Sequence, residues 1–218
     1  MALAVIVIVG AAVTAGIVLH ARKGHLAFRP VSRATSTTVT TTTLPPTTTQ
    51  PIATSTGPCT PVTVSGGAYA VGDSVMLDAQ QPLQSCVPNI QVNAAVSRQW
   101  SDGETLLRQV MAGASPPSVV VVALGTNGPI TDSDFDVMMS ILHGATRVVF
   151  VTVHVGRPWQ DQVNGVLASG VARYPKAVLA DWESLAALHP EWFYADGTHL
   201  PIDGPGAQQL AALIASKV

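Results

Sequence analysis

Residues 119–124 read Val-Val-Val-Val-Ala-Leu, an unbroken apolar run ended by Gly125. A strand with one face in water alternates apolar and polar side chains. A short run that is apolar throughout and rich in β-branched residues fits a strand buried on both faces, as in the middle of a parallel sheet. Parallel strands need long crossover connections, usually helices, and the surrounding chain supplies them. Strands are predicted over 68–72, 90–96, 147–153 and 177–180. Helical spacing is found over 105–111, 134–142, 161–173, 183–188 and 206–217, with Asp203 as a candidate cap for the last. This alternation predicts an α/β domain whose parallel sheet is covered on both faces. Ligands of such sheets bind beyond the carboxyl ends of the strands. Asp73-Ser74 and Asn127 fall at those ends.

The domain occupies 60–218, enough chain for a substantial core. What precedes it is different. Ala2 to Leu19 is apolar or small and uncharged, about the minimum length for a membrane-spanning helix. A signal peptide with a cleavage site near Ala12-Val13-Thr14-Ala15 is the rival reading, but no basic residues precede the run. Residues 1–29 are therefore expected to be an anchor with a basic flank. Residues 30–59 are rich in Thr and Pro and hold almost no large apolar side chain, so ordering them would not be repaid by burial; they are expected to be an extended tether.

Charge is unevenly spread. Arg22, Lys23, Arg29 and Arg33 are the only charges before residue 60, whereas the domain carries seven basic and thirteen acidic side chains, a net of −6. An acidic domain repels phosphate backbones, which argues against nucleic acid as a partner. The basic cluster suits lipid headgroups. Basic residues after the apolar run favour a cytoplasmic domain, but a Thr-rich tether favours export, and an even cysteine count in a chain with an export-like N-terminus suggests a disulfide. The expectation is a single-pass cell-membrane protein with its domain outside the cytoplasm and a Cys59–Cys86 disulfide. Two unpaired thiols are the alternative.

Three short motifs carry chemistry: Gly72-Asp73-Ser74, Gly125-Thr126-Asn127 and Asp196-Gly197-Thr198-His199. Ser74 follows a strand and is expected to open a helix, where free backbone N–H groups favour developing negative charge. Its hydroxyl would be the nucleophile and its N–H an oxyanion donor. Asn127 offers a second donor through its amide. His199 would accept the serine proton, with Asp196 fixing its tautomer. Taken singly, these motifs also fit a helix cap, an Asn-Gly turn and a surface Asp-Gly turn. His189 is a rival base, rated lower for want of a close downstream carboxylate. Asp73, Arg98, His154 and Trp192 are further candidates to line the site. Met76 at the +2 position breaks the Gly-x-Ser-x-Gly elbow and argues against the α/β-hydrolase family. Spacings for zinc, a Walker loop or a dinucleotide are missing, so neither metal nor organic cofactor is expected.

With these motifs in this order, the chain resembles the SGNH (GDSL-like) hydrolase superfamily. The resemblance covers most of 66–218 and implies a three-layer α/β/α sandwich, a Ser74–His199–Asp196 triad, and an oxyanion hole from the Ser74 N–H and Asn127. In that superfamily a glycine after the second strand commonly gives a third donor. Here Ala95 stands at that place, within Asn93-Ala94-Ala95-Val96-Ser97-Arg98-Gln99, and its backbone N–H is expected to serve as that third donor. Val-Gly-Asp-Ser-Val-Met-Leu, Ala-Val-Ser-Arg-Gln, Leu-Gly-Thr-Asn-Gly and Trp-Phe-Tyr-Ala-Asp-Gly-Thr-His-Leu are similar to the extracytoplasmic SGNH domains of bacterial peptidoglycan O-acetyltransferases. The resemblance implies serine-dependent O-acyl transfer, with acetyl the expected acyl group, from a donor to a glycan acceptor. It also suggests an integral-membrane acyltransferase as partner. An esterase that deacylates glycans is the nearest alternative, and a non-catalytic wall-binding module a further one.

Overall fold

In the computed structural model the described residues are 59–218. The expected anchor and nearly all of the tether lie outside the described residues. Among the described residues no helix is long and apolar enough to cross a membrane.

Five parallel strands form one sheet: β1 (Ala68–Gly72), β2 (Ile90–Ala94), β3 (Val119–Ala123), β4 (Arg147–Val151) and β5 (Ala177–Ala180), in the order β2-β1-β3-β4-β5. The expected parallel sheet is present, with β3 central. Its all-apolar sequence is explained by its two faces. Val119 and Val121 pack with Ala68, Ala70, Val149 and Val151 in one core. Val120 and Val122 pack with Tyr69, Val71, Val148 and Phe150 in the other. Successive side chains point to opposite faces, so a strand covered on both sides needs apolar residues at every position.

The helices are α1 (Ser74–Asp78), α2 (Gln80–Cys86), α3 (Trp100–Met111), α4 (Asp132–Ile141), α5 (Gln160–Arg173), α6 (Trp182–Ala186) and α7 (Pro205–Ala215). Residues of α1, α2, α6 and α7 build the first core. Those of α3, α4 and α5 build the second. The three-layer α/β/α sandwich is thus realised.

Helix starts differ most from expectation. α3 begins at Trp100 rather than Thr105, because the Asp102 carboxylate accepts the Gln99 N–H at 3.0 Å and extends the helix past Gly103. Gly103 itself is buried under Leu124, whose Cδ1 would lie 2.3 Å from a Cβ there. α4 begins at Asp132, where Thr131 and Asp134 form a reciprocal cap. α2 was not expected, since Gln80-Gln81-Pro82 shows no apolar period. Asp203 does not cap α7: the N-cap is Gly204, with Pro205 opening the helix. Asp203 has a left-handed backbone, φ 59°, and its carbonyl accepts Gln208 Nε2 at 2.9 Å. Cys59 and Cys86 form a disulfide with Cα atoms 5.5 Å apart, tying the start of the domain to the end of α2.

The strand order reverses beside β1. The chain passes from β1 to β2 on one side and returns through α3 to β3 on the other. A crevice opens at such a switch point, outside the carboxyl ends of β1 and β3. Asp73-Ser74 leaves β1 there and Thr126-Asn127 leaves β3 there.

Candidate active site

Ser74 is the first residue of α1 and is buried at 8% exposure. Asp73 precedes it in extended conformation. Its Oδ1 accepts the Val75 N–H at 3.1 Å, and its own N–H donates to Ala123 O at 3.2 Å. The nucleophile candidate is therefore fixed by a side-chain cap and by a hydrogen bond to the end of β3. Burial pushes the Asp73 carboxyl up to about 6, opposed by Thr126 and by the Val75 N–H.

His199 reaches Ser74 across the crevice, with Nε2 2.9 Å from Ser74 Oγ. Its Nδ1 lies 2.8 Å from Asp196 Oδ2. Asp196 Oδ1 accepts two backbone N–H groups, from Thr198 at 2.9 Å and His199 at 3.0 Å. These contacts hold its carboxyl down at about 2, the His199 backbone N–H contributing most. One carboxylate thus folds the loop with one oxygen and orients the imidazole with the other. Gly197, at φ 66°, provides the left-handed turn between them. Two further ties anchor the loop: Leu200 N–H donates to Asp78 Oδ2 at 3.0 Å, and Tyr194 N–H donates to His199 O at 2.9 Å.

The linked Ser74, His199 and Asp196 open into a cleft of about 460 Å³, lined also by Asn127 and Trp159 among others. The His199 and Asp196 side chains are 41% and 51% exposed, so solvent reaches the imidazole. Asn127 Nδ2 donates to Arg98 O at 3.3 Å, which holds the amide at the cleft. That bond uses one of the two N–H groups of the amide.

The other expectations divide. Ala95 is corrected as a third oxyanion donor: its N–H donates to Gly72 O at 3.2 Å and is spent on extending the β1–β2 pairing. Arg98 does not reach into the triad. Its guanidinium donates to Gly72 O at 3.1 Å, to Asn93 O, and to Asn93 Oδ1 at 2.8 Å, clamping the ends of β1 and β2. It borders a neighbouring groove with Asn127, Glu104 and Asp134. Trp192 is corrected as a cleft residue. It stacks on Trp182 and His189 and packs against the first core. His189 does have a carboxylate partner, Glu191 at 2.8 Å, against the reason given for ranking it low, but His199 is the histidine bonded to Ser74. His154 stacks on Phe193 and lines a small cavity behind Asp73.

The sequence motif contains Thr126 but does not reveal its place beside Asp73, and sequence reasoning missed the segment Val155 to Trp159, which forms one wall of the cleft. That segment follows β4, so the strand-end rule applied to every central strand would have found it. Among the described residues no cluster of His, Cys, Asp or Glu could hold a metal ion.

No family model matches the chain. Two curated relatives are similar over the domain. The peptidoglycan O-acetyltransferase OatA of Listeria monocytogenes is 36% identical over 157 residues, 72% of this chain and 25% of the relative. The putative peptidoglycan O-acetyltransferase YrhL of Bacillus subtilis is 34% identical over 154 residues, 71% of this chain and 24% of the relative. The chain thus spans about a quarter of the length of these relatives. Among solved structures, the C-terminal catalytic domain of Streptococcus pneumoniae OatA, carrying a methylsulfonyl adduct, superposes with a TM-score of 0.60 at 28% identity, covering 69% of this chain and 89% of that domain.

Proposed function

We propose that this domain, a member of the SGNH (GDSL-like) hydrolase superfamily similar to the catalytic domain of peptidoglycan O-acetyltransferases, is an extracytoplasmic serine O-acyltransferase that moves an acetyl group onto cell-wall polysaccharide. The observation that carries the reading is the unbroken line Asp196 Oδ2, His199 Nδ1, His199 Nε2, Ser74 Oγ, with contacts of 2.8 and 2.9 Å.

The chemistry follows from that line. As Ser74 Oγ bonds to the acyl carbon of a donor, His199 Nε2 takes its proton. The carbonyl oxygen becomes an oxyanion facing the Ser74 N–H and the Asn127 amide, two donors fixed before the charge appears. Collapse expels the donor's alcohol, which takes the proton from His199, and leaves Ser74 acetylated. A sugar hydroxyl then gives its proton to His199 and attacks the acetyl carbon. The new ester departs and Ser74 Oγ recovers the proton. No metal or organic cofactor enters either half.

The Cys59–Cys86 disulfide supports a location outside the cytoplasm, where such bonds persist. The apolar run at 2–19 and the Thr/Pro-rich tether support attachment to the membrane. On this reading an integral-membrane acyltransferase supplies the acetyl group. The exposure of His199 favours a second reading, an esterase, because water reaches the base as readily as a sugar does. The test is to incubate the full chain with an activated acetyl ester, with and without glycan oligomers. Acetylated glycan is expected. Free acetate alone, unchanged by glycan, would make the protein an esterase.

A further inference from the structure

Beside Asp73 lies a small cavity of about 20 Å³. Its lining includes Asp73, Thr152, His154 and Trp182. Three of these residues carry buried polar atoms without a hydrogen-bond partner: Asp73 Oδ2, His154 Nδ1 and Trp182 Nε1. Thr126 lies close enough to lower the proton affinity of Asp73, but no donor meets Oδ2 in hydrogen-bonding geometry. Asp73 is 1% exposed and Trp182 1%. The two rings are near neighbours, since Phe193 stacks on His154 at 4.9 Å and touches Trp182 at 6.1 Å. The Thr152 hydroxyl is already committed, donating to Asp181 Oδ1 at 3.2 Å and accepting from the Glu183 N–H at 2.8 Å.

A buried polar atom left unpaired is costly, and of the four such side-chain atoms among the described residues, three belong to residues lining this cavity, the fourth being Trp159 Nε1. A cavity needs only about 10–15 Å³ of this kind of space to hold one water, and the water needs two to four polar partners. The volume suffices, and the three unpaired atoms belong to residues that border this space. The partners are also complementary. Trp182 Nε1–H can only donate, ionised Asp73 can only accept, and neutral imidazole Nδ1 does either according to tautomer. One water has the donors and acceptors to accept from Trp182, donate to Asp73 Oδ2 and close on His154.

We infer that this cavity is a binding site for a single structural water joining Asp73 Oδ2, His154 Nδ1 and Trp182 Nε1, and that His154 is a positioning residue for Ser74. The route is short. Asp73 caps α1 with Oδ1, and α1 begins at Ser74. With Oδ2 held from behind, the carboxylate cannot rotate away from the Val75 N–H, so the direction of the Ser74 hydroxyl and N–H is fixed. The inference rests on the acyl-enzyme reading for its kinetic consequence but not for the water itself.

The test compares His154→Phe, His154→Asn and Trp182→Phe in the full chain, with an activated acetyl ester as substrate. H154F keeps the ring stacked on Phe193 and removes Nδ1. H154N loses the ring and keeps an amide that can meet the water. Because positioning is felt in the transition state, H154F is expected to lower kcat roughly tenfold, less than the loss of a direct oxyanion donor, with KM unchanged. H154N is expected to recover most of that loss. W182F is expected to lower kcat in the same sense, and the double variant H154F/W182F to be no worse than H154F, since both act through one water. A purely structural histidine predicts the reverse order, H154F normal and H154N impaired; that order, or additive losses in the double variant, overturns the inference. A high-resolution crystal structure of the protein decides the water independently of activity. Density within hydrogen-bonding distance of all three atoms is expected, and a dry cavity overturns the site whether or not the protein transfers acetyl. An inactive wild type with the water present would instead sink the functional reading and leave this site standing.

Discussion

A methyl group at Gly72 would lie 2.2 Å from Met76 Cβ and 2.4 Å from Met76 Cγ. These atoms sit next to the backbone and cannot swing aside, and Met76 is fully buried. β1 ends at Gly72 and α1 turns back against it two residues later, so the helix that opens with Ser74 can pack this closely only over a residue without a Cβ. Gly72→Ala must push α1 outward and carry Ser74 with it. A displacement of about 1 Å at a reacting group can cost ~10² in rate, and a fall of that order in turnover of an activated acetyl ester is expected. Met76→Ala removes Cγ but keeps Cβ at 2.2 Å, so adding it to Gly72→Ala should leave most of the loss in place. Wild-type turnover in G72A would show that the crowding is relieved without moving the nucleophile.

Asp73 makes stability depend on pH in a direction opposite to most carboxylates. Burial raises its carboxyl from an ordinary value of 3.8 to about 6. Between those values the folded chain holds a proton that the unfolded chain has released. Folding therefore weakens as pH rises through that window, by on the order of 3 kcal/mol for a shift of this size. D73N keeps an N-cap oxygen and removes the titration. Chemical denaturation at pH 4 and pH 7 should show the wild type losing stability relative to D73N over that interval. Other groups cancel in the difference between the two proteins. A constant difference would mean that Asp73 is ionised without penalty. Asp196 does not disturb the window, because its carboxyl lies low at about 2 and its contribution fades only as pH falls towards that value.

The parts of this protein that its sequence discloses are those where local and global requirements coincide. The Val119–Val122 run needs no partner to be recognised, because burial on both faces leaves its mark on every residue. Asp196 and His199 sit three residues apart, and their pairing is a local loop closure. Ser74 and His199 lie 125 residues apart and were joined only by resemblance and strand-end placement. The errors have physical causes too. Arg98 was expected to line the site, but its guanidinium satisfies carbonyls at the ends of two strands, a role set by neighbours in space. Ala95 was expected to offer an N–H that the Gly72 carbonyl already holds. Trp192 sits where a site wall was expected, but its ring is drawn into a stack with Trp182.

The Cys59–Cys86 bond closes a loop with a sequence separation of 27 residues. It fixes the first described residue against the end of α2, so Val62 N–H can donate to Cys86 O at 2.8 Å. Constraining a loop of this length in the unfolded chain contributes about 3.5 kcal/mol in the chain-entropy account. Cys86→Ala, or a reducing agent, should lower the thermal midpoint by several degrees. The triad is distant in sequence and anchored by other contacts, so turnover at low temperature should be nearly unchanged. An unshifted midpoint on reduction would mean that the segment from Cys59 is held by its other contacts alone.

Asp196→Asn separates the two jobs of one carboxylate. In the wild type, Oδ1 takes the Thr198 and His199 N–H groups while Oδ2 takes His199 Nδ1. An asparagine keeps the first job, since its carbonyl oxygen can still receive both backbone donors, so the loop should stay folded and the thermal midpoint should move little. The second job is inverted. The amide nitrogen facing Nδ1 can only donate, which holds the imidazole in the tautomer with its proton on Nε2. That nitrogen then cannot accept the proton of Ser74, and turnover should fall by roughly 10³–10⁴. Substrate affinity should be largely retained, because neither oxyanion donor is touched. Asp196→Ala should lose both jobs, with the rate falling as far and the midpoint falling as well. Steady-state kinetics with circular dichroism on the two variants checks the separation. An asparagine variant within tenfold of wild type would remove Asp196 from the triad and leave His199 to act without an orienting carboxylate.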